Sequence, residues 1–109
     1  MKNKTNIEPG THLFSVATGR IDALSKASRK AVKLVSEQEG FIGVNPTPDN
    51  NFTLWLFDTK WHAQRAKNIM EFKGIECGNN ICEFEMQEND TISFVGVAAG
   101  KDQGKGYVN

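Results

Sequence analysis

The chain has 109 residues, with 13 Lys and Arg set against 13 Asp and Glu for a formal charge of zero. That length suits one domain with a modest hydrophobic core, and the even charge offers no general attraction to nucleic acid. No apolar run approaches the length of a bilayer span and the opening MKNKTNIEPG has no secretory apolar stretch, so a cytoplasmic, non-membrane protein is expected.

In chain order, residues 1–10 are polar and carry Pro9 and Gly10, which predicts a flexible N-terminal arm. A single α+β domain is expected over 11–98. Its first strand spans 11–17 through Leu13, Phe14 and Val16, with Thr18 and Gly19 as punctuation. From 20 to 39 the apolar residues Ile21, Leu24, Ala27, Ala31, Leu34 and Val35 recur at helical steps, and Gly40 is placed to close the helix. Lys26, Arg29, Lys30 and Lys33 on this segment read as its solvated face rather than as a phosphate site.

A second strand over 41–44 leads into a hairpin loop, Asn45 to Asn50, whose Pro46 and Pro48 cannot donate ladder hydrogen bonds. The third strand, 52–57, has Phe52, Leu54 and Leu56 on one face and Thr53, Trp55 and Phe57 on the other, with no Gly or Pro, as suits a strand covered on both sides. Asp58 and Thr59 supply oxygens that accept from helix-opening amides. A helix over 60–72 follows, burying Ala63, Ala66, Ile69 and Met70, with Gly74 to end it. Cys77-Gly78-Asn79-Asn80-Ile81-Cys82 makes a turn. The fourth strand, 81–86, puts Cys82, Phe84 and Met86 on one face and Glu83 and Glu85 on the other, and 91–98 makes a fifth. Residues 99–109, rich in Gly, Lys and Asp, are expected to form a flexible tail.

Strand, helix, strand, strand, helix, strand is the order of a ferredoxin-like split βαββαβ fold, here with an extra C-terminal strand and both helices on one face of an antiparallel sheet. The opposite face then carries Phe52, Leu54 and Leu56, which need cover. A homodimer with its sheets face to face is the expected solution.

Glu39-Gly40-Phe41-Ile42-Gly43-Val44, followed by Leu54-Trp55-Leu56-Phe57-Asp58-Thr59 leading into a helix with Ala63 and Ala66, resembles the dimeric α+β barrel superfamily, which includes antibiotic-biosynthesis-type monooxygenases. At the level of pattern the resemblance covers residues 13–86. It implies the fold, the homodimer and a cavity between helices and sheet that holds an aromatic or quinone-like substrate, haem, or nothing known. It carries over no catalytic residue.

His62 is the one residue suggesting chemistry. Helical periodicity sets it at the edge of the buried stripe, where it is a general base in a pocket with Trp55, Trp61 and Asn45, helped by Asp58 or Arg65, or else a histidine at the helix margin with one partner. His12 has less to recommend it. Cys77 and Cys82 read as two ordinary thiols, a facultative disulfide, or half of a zinc site short of ligands. Gly96, Gly100, Lys101, Gly104, Lys105 and Gly106 lack the spacing and following helix of a nucleotide loop. Neither cofactor nor metal is expected. The leading expectation is a small binding or interaction domain, homodimeric, with room for a small apolar ligand. The alternative is a cofactor-independent, monooxygenase-like enzyme acting on a small aromatic substrate between sheet and helices. A third reading gives the tail a docking role.

Overall fold

The computed structural model describes residues 7–21, 25–89 and 91–98. Its elements are β1 (His12–Gly19), α1 (Lys26–Ser36), β2 (Phe41–Pro46), β3 (Phe52–Phe57), α2 (Lys60–Phe72), β4 (Cys82–Met86) and β5 (Ile92–Val97). Most of the expected arm and all of the expected tail over 99–109 lie outside the described residues, as does Leu24. The strands form one five-stranded sheet in the order β2-β3-β1-β4-β5, antiparallel at every pairing. β3 therefore inserts between β2 and β1, and β1 between β3 and β4, so that two βαβ units interlock.

Local chemistry sets the element ends. Thr59 accepts the His62 backbone N–H at 3.0 Å to open α2, as a side-chain oxygen at an N-cap should. At the other end Gly74, at φ 89°, donates to the Glu71 carbonyl while Ile75 donates to that of Met70, a glycine-terminated Schellman closure. Ser25 caps α1 by accepting from Ser28 N–H. Several ends differ from expectation: β2 runs on through Asn45 and Pro46, which pair with Leu54 and Thr53 instead of belonging to the loop, and α1 opens at Lys26 behind its Ser25 cap rather than at 20. β1 continues through Thr18 and Gly19 because these pair with Thr53 and Phe52. α1 stops at Ser36, and Gly40, at φ 84°, serves the turn into β2 instead of capping the helix.

The two sheet faces carry separate cores. On the helix side Val16, Trp55, Phe57 and Ile81 pack with Val35 of α1 and Ala63, Ala66 and Met70 of α2. On the opposite side Leu13, Leu54, Leu56 and Met86 pack with Ile7, Ile42, Phe84 and Ile92. The alternation on β4 is as expected. The register nonetheless puts Glu83 opposite Phe14, which packs on the helix-side core, so the carboxylates stand on the helix side and Cys82, Phe84 and Met86 face away from it.

This second core corrects one step of the sequence argument. Leu54 and Leu56 keep only 9% and 4% of their surface exposed within a single chain, so they need no partner to cover them. Against their cluster pack Ile7, from the stretch ahead of β1, and Ile42, Phe84 and Ile92 of β2, β4 and β5. Bulges fall in both edge pairings, between Phe41 and Gly43 in β2 and between Glu83 and Phe84 in the β4 pairing with β5, and a bulge bends its strand and sharpens its twist. What remains uncovered away from the helices is peripheral: Phe52 at 52%, Phe94 at 61% and Val97 at 45%.

Candidate functional site

Trp55 projects from β3 onto the helix side, and its indole N–H donates to Thr18 Oγ1 on β1 at 2.9 Å. The Thr18 hydroxyl in turn donates to the Gly19 carbonyl at 3.0 Å. Beside this pair an open cavity of about 290 Å3 lies between α1 and the sheet, more open than enclosed, lined by Ala27 and Ala31 of α1, by Ile75, and by the exposed Arg20 and Glu76. It exists because α1 offers alanines where a larger side chain would reach the sheet. With both polar atoms of the Trp55–Thr18 pair occupied, the cavity offers a guest an apolar floor and one charge of each sign at its exposed residues.

Of the residues expected to share a pocket, only Trp55 lines this one. His62 lies at the other end of β3: its Nδ1 is 2.7 Å from Asp58 Oδ1 and its Nε2 3.7 Å from Glu39 Oε2, and its side chain is 19% exposed. Arg65 reaches the same Glu39 at 3.4 Å. The Asp58–His62 contact is the geometry by which a carboxylate orients a general base. Here the second ring nitrogen faces another carboxylate, and Gly40 packs directly on Asp58 and His62. The cluster thus ties the turn before β2 to the start of α2, and His62 lines neither the Trp55 cavity nor the recess along α1. Asn45 pairs with Leu54 and so stands on the sheet face opposite Trp55. Trp61 is 69% exposed on the solvent side of α2.

The remaining candidates also separate. Cys77 packs on the helix-side core, whereas Cys82 pairs with Ser15 on the other face. Both thiols are free, and burial pushes each above its ordinary value, which disfavours the reactive thiolate. His12 contacts Glu83, and that hydrogen bond raises its pKa. The open recess along α1, of about 580 Å3, is lined by Ile21, Arg29, Val32 and Lys33; Lys33 is paired with Glu37 at 2.8 Å. Among the described residues no group of three or more His, Cys, Asp or Glu side chains is placed to hold a metal ion, and no helix is long and apolar enough to cross a membrane.

Two features escaped the sequence reading. Thr18 looked like punctuation because its partner lies 37 positions away. Phe94 was assigned to a strand but to neither face, because Val95 follows it directly and breaks the alternation. The outward positions of Phe72 and Trp61 were legible, since both fall about half a turn from Ala63, Ala66 and Met70 on a helical wheel. Comparison with protein-family models, curated proteins and solved structures finds no match for this chain.

Proposed function

We propose that the chain is a ferredoxin-like interaction domain that works as a homodimer. The topological reading is supported by the order β2-β3-β1-β4 with α1 and α2 on one face. The observation that carries the interaction reading is the exposed apolar surface on β5. Phe94 pairs with Phe84 across β4, with ring centroids 5.5 Å apart, and Val97 pairs with Cys82, all on the face away from the helices. Neighbouring apolar groups left in water together mark contact surfaces, and a second sheet is the simplest flat, apolar cover. The contact differs from the one expected from sequence in its place: it centres on β4 and β5 rather than on Leu54 and Leu56. Sedimentation velocity tests it. Self-association that is weaker in Phe94→Asp than in the wild type, with unchanged helical circular dichroism, supports the reading; a wild-type monomer at 100 micromolar, about a hundredfold above a micromolar Kd, rejects it.

The Trp55 cavity favours a second reading, the cofactor-independent enzyme acting on a small aromatic substrate. Its volume is close to the lower end for ligand sites. It lacks a base, because His62 is at the far end of β3. Oxygen consumption with a hydroquinone as substrate tests it: turnover lost in Ala31→Phe, which fills the cavity, supports an enzyme, and absence of turnover by the wild type removes it.

A further inference from the structure

The solvent face of α2 carries two large aromatics at its ends. Trp61 is 69% and Phe72 87% exposed. Between them lie Arg65 and Asn68, also exposed. The spacing 61, 65, 68, 72 alternates four, three and four, the interval at which side chains form a packing seam between helices. Ala63, Ala66 and Met70 are buried against the sheet, so this stripe is the helix's outward side. Trp and Arg are the residue types that dominate contact energies at protein interfaces. An isolated exposed apolar residue needs no explanation, but two aromatics in register on one stripe, about 16 Å apart at the helical rise, make a surface.

We infer that this stripe is a self-association surface, in which α2 packs antiparallel on α2 of a second copy. The antiparallel arrangement is self-complementary. It sets Trp61 against the second copy's Phe72 at both ends, and Arg65 against the second copy's Asn68 in the middle, where the guanidinium, one of whose N–H groups reaches Glu39 at 3.4 Å, adds a second donor to an amide oxygen that accepts from Gln64 at 3.0 Å. A parallel arrangement would instead set Arg65 against itself and oppose like charges. Covering the four rings removes roughly 600–800 Å2 of surface from water. That area belongs to weak, concentration-dependent complexes. The inference goes beyond the interaction reading above, and its surface lies on the opposite side of the sheet from Phe94.

The test uses the full chain carrying Phe94→Asp, so that any contact through β5 is removed. Sedimentation over a concentration series should show dimerisation weakened by roughly 30-fold or more in Trp61→Ala/Phe72→Ala, the loss expected of hot-spot side chains. Asn68→Arg, which opposes the second copy's Arg65, should weaken it too, and Asn68→Glu should tighten it. Trp61 emission should shift to the blue as concentration rises. Both aromatics are exposed, so thermal melting of the dilute, dissociated protein should be unchanged in the double variant. Dimerisation insensitive to the aromatic truncations, or tightened by Asn68→Arg, overturns the inference. A chain monomeric only when Phe94→Asp is present overturns it while leaving the β5 contact standing, and a chain monomeric without Phe94→Asp overturns both.

Discussion

The indole N–H of Trp55 and the hydroxyl of Thr18 meet at 2.9 Å in the interior, joining β3 to β1. The rest of Trp55 packs in the helix-side core at 1% exposure, so its N–H has no access to bulk water. Thr18→Val keeps the shape and removes the acceptor. It should cost about 1–3 kcal/mol, the penalty of a buried unsatisfied donor. Thr18→Ser should recover most of that loss. Urea unfolding of the wild type and the two variants checks the expectation, and equal stability of Thr18→Val and Thr18→Ser would count against it.

Gly40 combines two demands. Its φ of 84° lies in the left-handed region, and a Cβ there would collide with Asp58 Oδ1 and His62 Nδ1. Gly40→Ala should therefore destabilise by more than the roughly 1–2 kcal/mol that left-handed backbone alone costs an L-residue. In a His62→Ala background, part of the collision is relieved and the cost of Gly40→Ala should shrink towards that value. A double-mutant cycle in guanidinium reads the difference. Identical costs in the two backgrounds would show that the contact with His62 is loose.

His12 supplies the pH dependence. Its hydrogen bond to Glu83 favours the imidazolium and raises its pKa, a smaller desolvation effect opposes this, and the Glu83 and Glu85 charges add to the rise. A histidine whose folded pKa exceeds its unfolded value near 6.5 contributes its stabilisation fully below that value and loses it as pH rises through the folded pKa. NMR titration should show the His12 midpoint above 6.5 in the wild type and moved downwards in Glu83→Gln. The same substitution should flatten the decline in stability between about pH 6 and 8.

Ser15 is the counterpart of Thr18. Its side chain lies on the face away from the helices, 1% exposed, between Leu56 on β3 and Cys82 on β4. Its hydroxyl has no hydrogen-bond partner among the described residues. Removing a buried, unpaired hydroxyl relieves its desolvation cost, so Ser15→Ala should leave stability unchanged or raise it by about 1 kcal/mol. A loss larger than that in thermal unfolding would mean that the hydroxyl is bonded in solution.

Elements with a clear period were readable in advance. The third strand and the second helix fall where alternation and helical spacing put them, at Phe52–Phe57 and Lys60–Phe72, because each buries one set of side chains and exposes the other. The antiparallel β2–β3 hairpin followed from the proline-rich loop between them. The wheel also contained the outward position of Trp61, which a pocket argument built on residue type overrode. The cavity was not readable, since it depends on how far α1 stands from Trp55, and small residues such as Ala27 and Ala31 are compatible with either close packing or a gap.

Local patterning by itself determined which segments are strands and helices and which side of each is apolar, since those properties need only neighbours along the chain. Tertiary structure decided the pairings that join distant positions: Thr18 with Trp55, Gly40 with His62, and Ile7 and Ile42 with the cluster that holds Leu54 and Leu56. The physical reason is that a strand's periodicity says which residues share a face but says nothing of the sheet's curvature or of what lies across it. Whether an apolar face needs a second chain is settled by what the rest of the same chain lays against it.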